Sequence, residues 1–386
     1  MMRVIVVVAC LTLTSCVYGM EWGNKHAVQS IKVYALTGLG GHKKTEQDAQ
    51  YNYANMLFSH ENTTVTIKSI GTPEEHCDLG QTHTMDYIAS TIAADQANDA
   101  QENKKYDSTI ILASSQGAAA ILKLMSQKKL KMPNLKGIFF EGLFMSGNDA
   151  FYHSIHGERP EDYKPLKGLP YVRWWAPYLA QFLKLPHYKP EGDQPVHCLS
   201  ELPKEQLPIA IIHGKKDQRV NHDDAMVLYT QLRQRGKNNV YLFSKEAGPD
   251  AIKSERDHVN VLDEKDLPAV RAILRKFNIL PSIKGSAQED KDLLSALQPK
   301  LSQKDINYYI KAYYQIHERH KVHVDIARGV EIAQDTAKIA AGAAAVYVVV
   351  KMLTRNRPQV AETAATMSML HPELLMVLMG MAECLG

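Results

Sequence analysis

A serine, an aspartate and a histidine occur far apart in the chain, each directly after a predicted strand. Ser115 lies within the string Ala113-Ser114-Ser115-Gln116-Gly117. Asp217 follows Ser115 by 102 positions, and His258 follows Asp217 by 41. A hydroxyl that an imidazole activates, while a carboxylate orients the imidazole, is a nucleophile for carbonyl carbons. These residue types predict covalent acyl-transfer chemistry, provided that the fold brings the three side chains together.

The residues around Ser115 predict a sharp turn between a buried strand and a helix. The small residues Ala113 and Gly117 lie two positions away on either side. Small neighbours avoid clashes where a strand turns tightly into a helix. A helix that begins at Gln116 would direct its N-terminal dipole at the serine oxygen. Ser114 is the alternative nucleophile in a shifted register, but the position of Gly117 favours Ser115.

The elements that must position these residues can be predicted from the apolar pattern. From about residue 29 to residue 280, short apolar runs alternate with helical patterns. This alternation predicts an α/β domain with a mostly parallel sheet of about six strands and helices on both faces. Because parallel strands present their carboxyl ends at one edge, the three residues are expected at one site. The predicted strands are 31–36, 63–70, 108–113, 135–140, 209–213 and 240–244.

Two stretches depart from the alternation of strands and helices. Residues 143–207 are rich in tyrosine and proline without a clear period, so we expect a lid insertion over one end of the sheet. Residues 281–386 are expected to form a helical C-terminal extension, whose apolar runs are too short to span a bilayer. Packing of these helices on the sheet domain, and docking on a membrane surface or a protein partner, both stay open.

The first residues have the pattern of an export signal. A short basic start precedes an apolar run over residues 4–13, and small residues suit cleavage before Met20, so residues 1–19 are predicted to be a signal peptide. Leu13-Thr14-Ser15-Cys16 also resembles a bacterial lipoprotein box, which would leave a lipidated Cys16 at the N-terminus. We therefore expect an exported protein that is periplasmic, secreted or lipid-anchored.

Composition argues against several other classes of protein. Lys and Arg number 45 against 42 Asp and Glu, without a long basic block, so nucleic acid is not an expected partner. Five cysteines are too few for a disulfide scaffold, and pairing of Cys77 with Cys198 stays open. His317, His320 and His323 spread around a predicted helix, so we expect no metal site there.

The order of these motifs resembles the α/β-hydrolase superfamily over about residues 31–277, nearest to its dienelactone-hydrolase, serine-peptidase and esterase branches. In that family the nucleophile, the acid and the histidine follow one another in this order. The string Ile211-Ile212-His213-Gly214-Lys215-Lys216-Asp217 resembles the loop that delivers the acid. Thr37-Gly38-Leu39-Gly40-Gly41 resembles the oxyanion loop. The resemblance implies that the backbone N–H groups of Leu39 and Gln116 form the oxyanion hole.

The resemblance implies an exported serine hydrolase that cleaves an ester, thioester or amide bond of a small-molecule, acyl or peptide substrate. His258 would remove the proton of Ser115, and Asp217 would orient His258, without a cofactor or metal. Glu141 is an alternative acid, since some family members take theirs after the corresponding strand. Asp257, beside the histidine, is expected to be a solvated loop charge.

Two departures from the family pattern leave other functions open. Ala113 stands where a glycine is usual, and Thr37 stands where a histidine is usual. A catalytically inactive α/β-hydrolase-fold binding protein is therefore the first alternative. In the second alternative, the C-terminal helices dock on a membrane or a partner, and the sheet domain serves as their scaffold.

Overall fold

The computed structural model describes residues 28–38, 43–132, 134–156, 185, 187–202, 207–217, 219–246, 258–283 and 285–355. Several predictions fall outside these residues: the signal peptide with Cys16, the oxyanion residue Leu39, Asp257, most of the lid, and the end of the chain.

Six parallel strands form the sheet of the molecule. Their bounds are β1 Gln29–Leu36, β2 Thr63–Ile70, β3 Ser108–Ser114, β4 Leu135–Glu141, β5 Ile209–Gly214 and β6 Val240–Lys245. They lie in the order β2-β1-β3-β4-β5-β6, and each neighbouring pair is parallel. The predicted fold class is confirmed, and the six strands are those predicted from the apolar runs.

Helices connect the strands and extend beyond the last one. The described helices are α1 Lys44–Phe58, α2 Thr82–Gln101, α3 Gln116–Ser126, α4 Gly147–His156, α5 Pro195–Cys198, α6 His222–Gln234, α7 Leu267–Lys276, α8 Ala287–Ala296 and α9 Gln303–Arg355. Short 3-10 turns cover Glu74–His76, Leu199–Glu201 and Glu264–Asp266. None of the described helices contains an apolar stretch of the length that a bilayer span requires.

Each face of the sheet has its own hydrophobic core because side chains alternate along a strand. In β1, Ile31, Val33 and Ala35 face the core that α1 and α7 cover. Tyr34 and Leu36 face the opposite core, which α2, α3 and α6 cover. Full burial of a large apolar side chain contributes about 1.5–3 kcal/mol, so these two layers hold the strand ends rigidly.

The chain reverses its direction of winding at β1. From β1 it crosses to β2 on one side and then returns to β3 on the other, so β1 and β3 are neighbours. In open α/β sheets, a crevice forms at the carboxyl ends of strands where the order reverses in this way. Thr37 and Gly38 follow β1, and Ser115 follows β3, so these residues line that point.

The chain divides into two compact units, one ending at Lys321 and one beginning at Val322. The first contains the sheet and the start of α9, where Ile316 is buried and Tyr309 and Tyr313 pack against the core. The predicted division at residue 281 stays a prediction. In the second unit, the continuing helix exposes apolar side chains, which are Val322, Val324, Val330, Ile332 and Ile339.

Candidate active site

Ser115 occupies a strained turn between β3 and α3. Its φ is +50° and its ψ is −115°, which is a rare conformation for a residue with a side chain. Such strain costs about 1–3 kcal/mol and persists where the surroundings impose it. The backbone N–H of Ser115 donates to the carbonyl of Glu141 at 2.8 Å, and the side chain stays 8% exposed. This geometry is that of the predicted nucleophile elbow.

Close packing around the elbow explains its small neighbours. A Cβ atom added at Gly117 would lie 2.9 Å from the carbonyl oxygen of Thr37 and 3.0 Å from Cβ of Leu36. Gly117 therefore lets the start of α3 press against the end of β1. A Cβ atom at Gly38 would lie 3.0 Å from Cβ of Ser115, so the chain after β1 passes directly beside the serine.

Asp217 and His258 are in direct contact. Nδ1 of His258 lies 2.7 Å from Oδ2 of Asp217, and both residues are buried, with exposed fractions of 4% and 2%. An acceptor at Nδ1 places the ring proton there and leaves the lone pair on Nε2, which is the tautomer that a general base requires. The contact joins two residues that are 41 positions apart.

The surroundings of Asp217 favour its ionised form. Its Oδ1 accepts the backbone N–H groups of Arg219 and Val220 at 2.8 and 3.1 Å. Burial opposes ionisation, but the attraction and hydrogen bond of His258, with the hydrogen bond of the Arg219 amide, lower the pKa of Asp217 below its usual value. A carboxylate that stays charged can stabilise an imidazolium ion formed beside it.

The end of β4 connects the serine to the aspartate–histidine pair. Glu141 accepts the N–H of Ser115 through its backbone carbonyl, and the next residue, Gly142, lies against His258. Gly142 has a φ of +56°, and a Cβ atom there would lie 2.5 Å from the carbonyl oxygen of His258 and 3.0 Å from its Nδ1. The candidate nucleophile and base therefore flank the same two residues.

The two predicted oxyanion donors differ in what the structure describes. Leu39 lies outside the described residues. Gln116 is the first residue of α3, one of the positions whose N–H group has no acceptor within its own helix. Its side chain is buried, and its Nε2 donates to Oγ1 of Thr84 at 2.6 Å, so α2 fixes the start of α3.

The two rival residues of the sequence prediction share a different network. Ser114 donates from Oγ to Oε2 of Glu141 at 3.0 Å, and Tyr53 donates to Oε1 at 2.9 Å. The backbone N–H of Val261 donates to Oε1 at 2.8 Å. Neither Ser114 nor Glu141 is the described partner of the His258 ring, whereas Asp217 is.

His213 and Tyr53 contact the carboxylates of Asp217 and Glu141. His213 is fully buried, with Nε2 3.2 Å from the carbonyl of Val220 and 3.4 Å from Oδ2 of Asp217. Burial lowers the pKa of His213, so its neutral form is favoured beside Asp217. The position of His213 in the acid loop is a sequence signal for its contact, whereas no local pattern identifies Tyr53.

The other histidines and cysteines named from the sequence have described contacts of their own. The ring of His197 lies 4.8 Å from that of His317 and 4.4 Å from that of His320, between centroids. In the described ranges, no group of three or more His, Cys, Asp or Glu residues is arranged to hold a metal ion. The thiols of Cys77 and Cys198 each reach a backbone carbonyl of their own segment, that of Pro73 at 3.3 Å and that of Gln194 at 3.9 Å.

No family model matches the chain, and no curated protein matches its sequence. Among solved structures, the acylaminoacyl peptidase of Pyrococcus horikoshii is 14% identical with a TM-score of 0.40, over 70% of this chain and 40% of that one. An esterase of Pyrococcus furiosus is 13% identical with a TM-score of 0.41, over 65% of this chain and 83% of that one. A butyrate-bound esterase of Thermogutta terrifontis is 14% identical with a TM-score of 0.41, over 68% and 88%.

The strand order, together with the strained serine after β3, identifies the fold. The chain has an α/β-hydrolase fold. Ser115, Asp217 and His258 follow the family's chain order of nucleophile, acid and histidine. Ser115 and Asp217 lie just beyond the carboxyl ends of β3 and β5, and His258 lies between β6 and α7. The predicted resemblance is therefore confirmed at the level of the fold.

Proposed function

We propose that the protein is an exported serine hydrolase that cleaves an ester, thioester or amide bond through an acyl-enzyme intermediate. The observation that carries the proposal is the 2.7 Å contact between His258 and Asp217, in a chain whose candidate serine is held at positive φ. Strain at a residue with a side chain points to function when its surroundings hold it in place. The solved structures of similar fold include esterases and a peptidase, and their reactions are of this class.

The proposed mechanism assigns one step to each side chain. Nε2 of His258 accepts the proton of Ser115 while Oγ attacks the substrate carbonyl. Asp217 holds the ring in its reactive tautomer and stabilises the imidazolium ion. The backbone N–H of Gln116, with that of Leu39, stabilises the tetrahedral oxyanion. His258 then protonates the leaving group, and a water molecule that it activates releases the acyl group from Ser115.

A fluorophosphonate probe tests this mechanism, because it reacts with serines that a neighbouring base has activated. We expect wild-type protein to be labelled and Ser115→Ala to lose all labelling. Ser126→Ala is the matched control, since Ser126 is a buried serine at the opposite end of α3. Labelling that survives in Ser115→Ala would reject Ser115 as the nucleophile. Absence of labelling in the folded wild type would favour the inactive binding protein.

The alternative of docking through the C-terminal helix has one supporting observation. Ile332 and Ile339 are 60% and 73% exposed in the second unit. We expect the double variant Ile332→Asp, Ile339→Asp to lose sedimentation with anionic liposomes if this helix binds a membrane surface. Ser115→Ala should sediment like the wild type. Equal sedimentation of the double variant and the wild type would reject the docking role of these two residues.

Export is the part of the proposal that depends on the first residues of the chain. Sequencing of the mature N-terminus tests it: cleavage before Met20 indicates a soluble exported protein, and a blocked Cys16 indicates a lipoprotein. Cys16→Ser should release a lipoprotein from membranes but leave a soluble exported protein unchanged. An N-terminus that retains the apolar run would reject export by either route.

A further inference from the structure

A second buried carboxylate lies beside the candidate active site without taking part in the proposed proton relay. Glu141, the last residue of β4, is 0% exposed. A buried carboxylate is costly unless hydrogen bonds compensate it. Its bonds to Tyr53, Ser114 and Val261 are 2.8–3.0 Å long and use both carboxylate oxygens. These hydrogen bonds therefore offset part of the cost of burying the carboxylate.

The described partners of Glu141 are all hydrogen-bond donors to its carboxylate. The backbone N–H of Val261 has no alternative role. The hydroxyl of Tyr53 accepts the N–H of Leu262 at 3.1 Å, and that of Ser114 accepts from Nε2 of Gln50 at 3.1 Å. Each hydroxyl therefore directs its single proton at Glu141. An acceptor on both oxygens fits this arrangement, whereas the NH2 group of an amide in the same place would face a second donor.

These bonds join the segment after His258 to the rest of the site. Val261 and Leu262 lie three and four residues after His258. The carboxylate of Glu141 accepts the backbone N–H of Val261, and the hydroxyl of Tyr53 accepts that of Leu262. The same carboxylate holds Ser114, which immediately precedes Ser115. One acidic side chain thus fixes the chain on both sides of the proposed proton transfer, and none of its described hydrogen bonds is to the imidazole.

We propose that Glu141 is a positioning residue that sets the location of His258 relative to Ser115 by anchoring the backbone at 261 and 262. This inference rests on the proposed function, because it assigns Glu141 a role within the same reaction. Misplacement of a catalytic group by about 1 Å can lower a rate by about 100-fold. The anchor therefore controls the rate of the chemical step, and it leaves substrate binding unchanged.

Glu141→Gln tests the proposal with a side chain of nearly equal size. In Gln, an NH2 group replaces one of the two carboxylate oxygens and meets a hydrogen-bond donor instead of accepting from it. The hydrogen bonds that hold the backbone after His258 are therefore weakened without creating a cavity. We expect kcat for a short-chain p-nitrophenyl ester to fall by about 10–100-fold, with KM within about twofold of the wild type. The rate of fluorophosphonate labelling should fall by a similar factor.

A double-mutant cycle separates positioning of the histidine from general weakening of the fold. If Glu141 acts through His258, then Glu141→Gln should cause no further loss of rate in a His258→Ala background. A merely structural role would lower the residual rate by the same factor in both backgrounds. An equal factor in both backgrounds, or an unchanged kcat in the single variant, would overturn the proposal.

Tyr53→Phe is a milder variant that keeps the test decisive if Glu141→Gln does not fold. It removes one donor from Glu141 and the acceptor of the Leu262 N–H, so we expect a smaller fall in kcat of the same type. Tyr229→Phe is its matched control, since Tyr229 is a buried tyrosine whose hydroxyl reaches only Pro299 at 3.4 Å among its described bonds. Equal kcat values for the two variants would overturn the proposal.

The same experiments distinguish failure of this inference from failure of the proposed function. Wild-type protein that is neither labelled nor active on esters rejects both. Labelling that depends on Ser115, together with a normal kcat in Glu141→Gln and Tyr53→Phe, rejects only the positioning role of Glu141.

Discussion

Two carboxylates stand at the ends of the neighbouring strands β4 and β5, and their surroundings are different. Asp217 follows β5 and bonds to the imidazole of His258. Glu141 ends β4 and bonds to two hydroxyls and to the backbone that follows His258. Although both are buried, the pKa of Asp217 is lowered by its charged and polar partners, whereas burial raises the pKa of Glu141 despite its hydrogen bonds.

The difference shows how one residue type can serve two tasks at one sheet edge. Asp217 acts on the side chain of the histidine, where a charge change during the reaction must be stabilised. Glu141 acts on the backbone of the same segment, where no charge changes and only position matters. What distinguishes the two is the set of donors that the fold brings to each carboxylate.

The largest effect that the comparison predicts is that of Asp217→Asn. The amide would donate to Nδ1 of His258 and hold the wrong tautomer, so we expect kcat to fall by about 10,000-fold. The measurement is ester hydrolysis together with the rate of fluorophosphonate labelling, after circular dichroism has verified the fold. Glu141→Gln is the internal reference, with its smaller expected loss. A reversed order, in which Glu141→Gln loses more activity than Asp217→Asn, would exchange the roles of the two carboxylates.

Gly142→Ala is the next largest change, at the residue where the two regions meet. The added Cβ would lie 2.5 Å from the carbonyl oxygen of His258, and the backbone has a φ of +56°. His258 must move, so we expect kcat to fall by about 100-fold. Left-handed backbone also destabilises alanine by about 1–2 kcal/mol, which a urea denaturation curve would detect.

Gly236→Ala separates the two consequences of that substitution. Gly236 has a φ of +78°, but a Cβ there would meet nothing within 4 Å. It should therefore show a comparable loss of stability with a normal kcat. Similar losses of kcat in both variants would mean that backbone strain, rather than contact with His258, governs the effect of Gly142→Ala.

The fold could be predicted from the sequence because the buried strands have a distinct apolar pattern. β3 and β5 are buried at every residue, and their continuous apolar runs mark strands covered on both faces. Helix α8 lies within the predicted helical C-terminal extension, but its own bounds were not predicted, since none of its residues is buried and its sequence lacks an apolar period. Local pattern thus identifies an element only when that element buries a face.

The candidate triad could be predicted for a related reason, whereas the anchor could not. Each triad residue follows a strand, so the topology alone collects them at one edge. Two of the partners of Glu141, Tyr53 and Val261, are 88 and 120 positions away, on a helix and in a loop, and neither lies at the end of a strand. Their meeting depends on how α1 and the loop after β6 pack together, which the sequence pattern does not specify.

The smallest effects concern stability as a function of pH, where the two carboxylates should behave oppositely. The folded pKa of Asp217 lies below 3.8, so its contribution is present at neutral pH and is lost as the pH falls through that value. The folded pKa of Glu141 lies above 4.5, so its contribution is complete below 4.5 and is lost as the pH rises through the folded value.

Urea denaturation of wild type, Asp217→Asn and Glu141→Gln across acidic and neutral pH measures both contributions. The stability difference between wild type and Asp217→Asn should be constant near neutrality and shrink below about pH 3.8. The difference between wild type and Glu141→Gln should instead shrink as the pH rises above about 4.5. Because Asn and Gln do not titrate, each slope belongs to one carboxylate. If both stability differences changed with pH in the same direction, burial and hydrogen bonding would shift the two pKa values in the same direction. The proposed distinction between Asp217, which stabilises a charge, and Glu141, which positions the backbone, would then be contradicted.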